Sequence, residues 1–225
     1  MDTNTILIVA AHPDDEVLGC GGMIAKYSSI GINIHVLFMT NGSSSREKSN
    51  TQVINKRKES AEHSAKLLGI SSLTFCDFPD NKMDSTPLLH IVRKIEEIVA
   101  NIQPNIIYTH HIGDLNIDHQ ITHKAVMTAC RPQPEFCVKE IYSFEIPSST
   151  EWQTPGHLSF TPSVYIDIND EMEIKRKALE AYFDEICQSP HARSIDNIVN
   201  LNALRGNSVG MNYAEAFMLI RSVRD

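Results

Sequence analysis

The chain has 225 residues, 42% of them hydrophobic, enough for one full core, and no linker or composition shift divides it. Its 20 Lys and Arg residues are scattered among 28 Asp and Glu, for a net charge of −8, which argues against a nucleic-acid surface. No apolar run nears the length of a membrane span, no basic-then-apolar leader opens the chain, and the five cysteines form no Cys-x-x-Cys pair, so the expectation is a cytoplasmic protein with reduced thiols.

Ile6-Leu7-Ile8-Val9-Ala10 reads as a short buried strand, stopped at Pro13. Asp14-Asp15-Glu16 then sets acidic residues in the first turn of a helix over 16–29, where they suit its dipole. Gly19, Gly21 and Gly22 inside that helix lack phosphate-loop spacing and read as sites of close packing. A second strand over 32–39 leads into a polar loop over 40–49, followed by a helix marked by Val53, Ala61, Ala65 and Leu68. A strand over 72–76, a loop from 79 to 86 and an amphipathic helix over 88–101 come next. A strand over 105–109, a loop over 110–117 and a helix from Asp118 repeat the alternation. Strands at 140–144 and 163–168, helices over 171–183 and 194–204, and a short element from Tyr213 complete the chain. This order predicts an α/β class: a single Rossmann-like domain over 1–225, mostly parallel, with helices on both faces.

In such sheets ligands bind at the carboxyl ends of the strands. His12 and Asp15, three positions apart across a tight turn at the end of the first strand, can reach one metal ion, leaving Asp14 to point elsewhere. Catalytic zinc takes three protein ligands and keeps a fourth position open, so a third ligand should come from another strand end. His119, at the start of a helix after a strand, is in place for it. His123, four residues on, is the spare ligand or a supporting group. His110 and His111 end a strand at the same edge and read as substrate contact or as packing. Asp118 suits either an imidazole-orienting carboxylate or a helix cap. His35, His63, His90 and His157 stand in no motif.

Ala11-His12-Pro13-Asp14-Asp15-Glu16, with Leu18-Gly19-Cys20-Gly21-Gly22 after it, resembles the signature of the LmbE-like, or PIG-L, zinc-dependent N-deacetylases. A second motif at Asp118-His119 and a weaker third at Tyr213-Ala214-Glu215-Ala216-Phe217 extend the resemblance along nearly the whole chain. It implies zinc, or another divalent metal, on His12, Asp15 and His119, with Asp14 as general base. The implied reaction is removal of acetyl from an N-acetylated amino sugar or its nucleotide-, lipid- or glycan-linked conjugate. A metal-dependent esterase and a non-catalytic sugar-binding relative are the alternatives, and homo-oligomers are compatible with the pattern. Arg57 matches a family position that contacts the sugar or its acidic aglycone, with a solvated helix face as the other reading. The chain departs from the family at Asn116, where a His usually stabilises the oxyanion or protonates the amine; Asn can donate to an oxyanion but delivers no proton at neutral pH. His191, in the Pro-bounded loop Ser189-Pro190-His191-Ala192-Arg193-Ser194, is the candidate replacement, with Asp14 serving as both base and acid as the rival.

Overall fold

The computed structural model describes residues 5–42, 51–156 and 158–224, so His157 and most of the polar loop after the second strand lie outside the described residues. In chain order the elements are β1 (Thr5–Ala10), α1 (Asp15–Ser29), β2 (Asn33–Thr40), α2 (Thr51–Leu68), β3 (Ser72–Phe78), α3 (Leu88–Ile102), β4 (Ile106–His110), α4 (Ile117–Ala129), β5 (Glu140–Phe144), β6 (Val164–Asp167), α5 (Met172–Glu180), α6 (Ile195–Asn207) and β7 (Ala214–Ser222). The strands form one seven-stranded sheet in the order β3-β2-β1-β4-β5-β7-β6. The first five are parallel, and β7 runs antiparallel to both neighbours.

Residues 6–10 of β1 are all apolar because both faces of the strand are covered there. Ile6, Ile8 and Ala10 join a core with Val17, Leu18, Met23 and Ile24 of α1, while Leu7 and Val9 join a second core with Ile91, Val92 and Ile95 of α3 and Ala125 and Val126 of α4. The chain leaves β1 toward β2 on one side and returns as β4 on the other. The crevice at the carboxyl ends of β1 and β4 is therefore the topological switch point.

The glycines of α1 are there for packing, as their spacing indicated. A Cβ on Gly22 would lie 2.6 Å from Cγ2 of Ile168, so only glycine lets the segment before α5 lie against this helix. The element from Tyr213, expected to be short, is the nine-residue strand β7 inserted between β5 and β6. Glu215 obscures it, a charge in the apolar part of a strand. It is buried because its carboxylate accepts from the N–H groups of Gly22 (2.8 Å) and Met23 (2.7 Å) and from Lys175 Nζ (2.6 Å).

Candidate metal centre and active site

The turn between β1 and α1 is built under strain. Asp14 has φ +121°, a region L-residues rarely occupy and one that clusters at functional sites. Its N–H donates to Glu16 Oε2 (3.0 Å), and Glu16 Oε1 accepts from the Tyr182 hydroxyl (2.6 Å). Burial pushes the Glu16 carboxyl up to about 8 despite these two donors. Arg57 Nε donates to Pro13 O (3.1 Å), its Nη1 donates to Gly42 O and lies 3.2 Å from Glu185 Oε1, and its Nη2 lies 3.5 Å from Asp14 Oδ2. Gly42, at φ +68°, leaves room for that guanidinium, which a Cβ would meet at 2.6 Å.

The turn brings together the three residues expected to hold metal. His12 Nδ1 lies 3.2 Å from Asp15 Oδ2, and His119 Nε2 lies 3.3 Å from His12 Nδ1 and 3.4 Å from Asp15 Oδ2. Edges of this length suit a tetrahedral ion with ligand distances of roughly 2.0–2.2 Å. All three side chains are buried, and Asp15 Oδ1 has no hydrogen-bond partner among the described residues. Two imidazole nitrogens and a carboxylate oxygen converging in the interior are a donor set that a divalent cation fits.

Each imidazole is held by carboxylates behind it. His12 Nε2 lies 3.2 Å from Asp118 Oδ2 and 3.1 Å from Asp80 Oδ1. Asp118 in turn accepts from the N–H groups of Asn81 (2.6 Å) and Met83 (3.0 Å), so although His12, Asp80 and Asp118 also lie within metal-binding reach of one another, its surroundings suit an orienting group. The imidazole it faces is His12, not its neighbour His119. Burial opposes charge on His12, but Asp118, Asp15 and Asp80 raise it well above the usual imidazole range. His119 Nδ1 lies 3.0 Å from Asp114 Oδ1, and against its burial the charges of Asp15 and Asp114 raise it to about 9. Asp114 accepts from the N–H of Asn116 (2.8 Å), from Ser149 Oγ and from Thr150 Oγ1 (2.7 Å). Burial raises Asp114, yet His119 and these donors hold it down to about 2.

The other expected site residues stand around these three side chains or outside them. His110 is fully buried beside the cluster: Nε2 accepts from the N–H of Ala11 (2.8 Å) and lies 3.4 Å from Asp15 Oδ2, and the ring stacks on His119 at 3.9 Å, contacts of the packing kind. Burial and the neighbouring His119 lower it to about 4. Asn116, not Asp118, caps α4, with Oδ1 accepting from the N–H of Asp118 (2.8 Å) and Nδ2 donating to Asn81 Oδ1 (3.3 Å). The ring of the spare ligand, His123, points at the backbone, with Nδ1 2.8 Å from His110 O. His191 is exposed; its Nδ1 accepts from the N–H of Arg193 (3.0 Å) and its ring meets Trp152 edge-on at 6.0 Å. The residue of that loop that enters the site is Arg193, whose Nη1 donates to Asp14 Oδ2 (2.9 Å). Sequence reasoning missed Arg193, Asp114, Asp80 and Tyr182, because each acts through a contact distant in sequence or hidden in an ordinary-looking loop.

Fold and site define an α/β protein with two imidazoles and a carboxylate gathered at the switch point. Residues 7–130 match the PIG-L family, GlcNAc-PI de-N-acetylase, and the chain belongs to that family of metal-dependent enzymes. It is 32% identical to a protein of Escherichia coli (strain K12) described as an uncharacterized deacetylase, YaiS, over 79% of this chain and 89% of that one. It is 25% identical to the diacetylchitobiose deacetylase of Thermococcus kodakarensis over 99% of this chain and 85% of that one. The solved N,N'-diacetylchitobiose deacetylase of Pyrococcus horikoshii has the same fold, with TM-score 0.79 and 21% identity over 97% of this chain and 84% of its own. A different reaction also occurs among the relatives: the 4-oxalmesaconate hydratase of Pseudomonas putida is 27% identical over 77% of this chain and 71% of its own.

Proposed function

We propose that the chain is a zinc-dependent hydrolase that removes the N-acetyl group from an N-acetylated amino sugar or its nucleotide-, lipid- or glycan-linked conjugate, with residues 1–225 working as one domain. The observation that carries this reading is the convergence of His12, Asp15 and His119 within 3.4 Å beside Asp14, whose buried Oδ1 has no hydrogen-bond partner among the described residues. These three residues would hold the ion; zinc suits the donor set, with another divalent metal as the alternative. When bound, the ion supplies Lewis acidity toward the acyl oxygen and lowers the pKa of water. Asp118 and Asp114 hold the imidazoles of His12 and His119 in the orientation that faces it. Asp14 Oδ1 takes a proton from the attacking water as the new carbon–oxygen bond forms, and returns it to nitrogen as the carbon–nitrogen bond breaks. Acetate and a free amine then leave in balance. Asp14 serves as both base and acid in this reading, because Asn116 is engaged as a cap and His191 faces Trp152. Free thiols at Cys20, Cys76, Cys130, Cys137 and Cys187, and no membrane-crossing helix among the described residues, agree with a cytoplasmic enzyme.

The test is acetate and amine release from diacetylchitobiose, N-acetylglucosamine and N-acetylglucosaminyl conjugates, with and without chelator. Equal yields of the two products, lost with chelator and restored by zinc, are the expected result. Acetate from O-acetyl sugars alone would make the protein an esterase. The likeness to a hydratase favours water addition to an unsaturated acid as the second reading, which would show as loss of alkene absorbance without acetate. No turnover of any kind would leave a sugar-binding relative.

A further inference from the structure

Asp14 is held from a part of the chain beyond the family-matched residues 7–130. Its Oδ2 accepts from Arg193 Nη1 at 2.9 Å and lies 3.5 Å from Arg57 Nη2, while Oδ1 is buried with no hydrogen-bond partner among the described residues. Arg57 is committed to Pro13 O, Gly42 O and Glu185, which makes it a brace for the strained turn. Arg193 makes the shorter contact, and its Nε donates to Ser148 Oγ at 2.8 Å.

The backbone on both sides of this contact is fixed. Arg193 precedes Ser194, which caps α6 by accepting from the N–H of Asn197, and Arg193 O accepts from the N–H of Cys187 (3.2 Å). Ser148 has φ +68° in a turn whose N–H groups at Ser148 (2.6 Å) and Ser149 (3.1 Å) donate to Glu151. The next two residues of that turn, Ser149 and Thr150, donate to Asp114, the carboxylate behind His119. One turn therefore supports both the guanidinium on Asp14 and the carboxylate on His119.

We propose that Arg193, oriented by Ser148, is the positioning residue of Asp14, holding Oδ2 so that Oδ1 alone is presented to the attacking water. This rests on Asp14 as the base in the reaction proposed above. A carboxylate free to rotate would offer either oxygen and spend part of its time misaligned, and displacement of a reacting group by about 1 Å can cost on the order of a hundredfold in rate. A charge-assisted contact to a permanent cation is the strong way to remove that freedom.

The test compares the metal-loaded wild-type chain with Arg193→Met, Arg193→Lys and Ser148→Ala, using the amino sugar from which wild type releases acetate. Arg193→Met should lose about tenfold to a hundredfold in kcat with KM within about threefold and metal content unchanged. Arg193→Lys should recover a large share of that loss, and Ser148→Ala should lose less than Arg193→Met. A raised KM with kcat intact would make Arg193 a substrate anchor and overturn the proposal, as would equal losses in the Met and Lys variants accompanied by lower thermal stability. A crystal structure of Arg193→Met separates this inference from the function it rests on. The Asp14 carboxylate should turn from its wild-type orientation; an unmoved carboxylate overturns the proposal whatever the substrate. A turned carboxylate in a chain that cleaves no N-acetyl bond would overturn the function and with it the catalytic meaning of the contact.

Discussion

Asp14 joins an unfavourable backbone conformation to a buried carboxylate, and both persist because neighbours over-determine them. A non-glycine residue at φ +121° costs on the order of 1–3 kcal/mol. That cost is offset by the Glu16 carboxyl on its N–H and by Arg57 on the preceding carbonyl. Asp14→Asn keeps the shape and removes the basicity. Turnover should fall roughly a hundred- to ten-thousand-fold with metal content unchanged, as kinetics and metal analysis of one preparation will show. Glu16 carries a second prediction. Its folded pKa of about 8 lies above the ordinary carboxyl value of 4.5, so the native state binds the extra proton between those two pH values. The stability Glu16 contributes is complete below about pH 4.5 and is lost as pH rises through 8, a change on the order of a few kcal/mol. Denaturant melts of metal-free protein should show stability falling across that window, and Glu16→Gln should flatten the fall.

At the scale of the element, α1 is the part that aims the site, since Asp15 and Glu16 are its first two residues. Its middle is tied to the far side of the molecule by a buried pair: Lys175 Nζ donates to Leu18 O (3.1 Å) and to Glu215 Oε1 (2.6 Å), while Glu215 accepts from the N–H groups of Gly22 and Met23. Removing one partner of a buried pair leaves an uncompensated charge and costs about 3–5 kcal/mol. The two backbone donors that remain on Glu215 put Lys175→Met near the lower end. For a chain of this size that corresponds to a fall in Tm of roughly 6–12 °C. Lys175→Met combined with Glu215→Gln should recover part of the loss, and a double variant no better than the single would show that the pair is not coupled.

At the scale of the whole molecule, metal binding at the proposed ligands would be linked to folding, because β1, β4 and the helices after them must be in place before His12, Asp15 and His119 meet. In metal-free protein His119 is held protonated up to about pH 9 and His12 is raised as well, yet both must lose a proton to ligate. Apparent metal affinity should therefore rise with pH between 6 and 9, by about tenfold per pH unit for each proton displaced. Titration calorimetry in buffers of different ionisation enthalpy will count those protons; binding independent of pH would show that the imidazoles are not the ligands. By mass action, metal at about a hundred times its Kd should stabilise the chain by about 2.7 kcal/mol, and chelator should reverse it.

Much of this was legible along the chain, because the determining patterns are local. Five consecutive apolar residues make a strand buried on both faces. His12 and Asp15 across one tight turn, and His119 opening the helix after another strand, already lie at ends that a parallel sheet brings together. The nine-residue strand β7 was hidden because Glu215 breaks its apolar run, and only Lys175 and the backbone of α1 make burial of that charge tolerable. Nor could the chain alone choose between His191 and Arg193, two residues apart in one loop. The cap of α6 and the Ser148 turn, 45 residues earlier, turn the guanidinium toward Asp14, while the imidazole faces Trp152. The candidate ligands follow from residue type and position at strand ends, which sequence carries; which side chain reaches a given atom follows from packing between distant segments, which only the folded chain supplies.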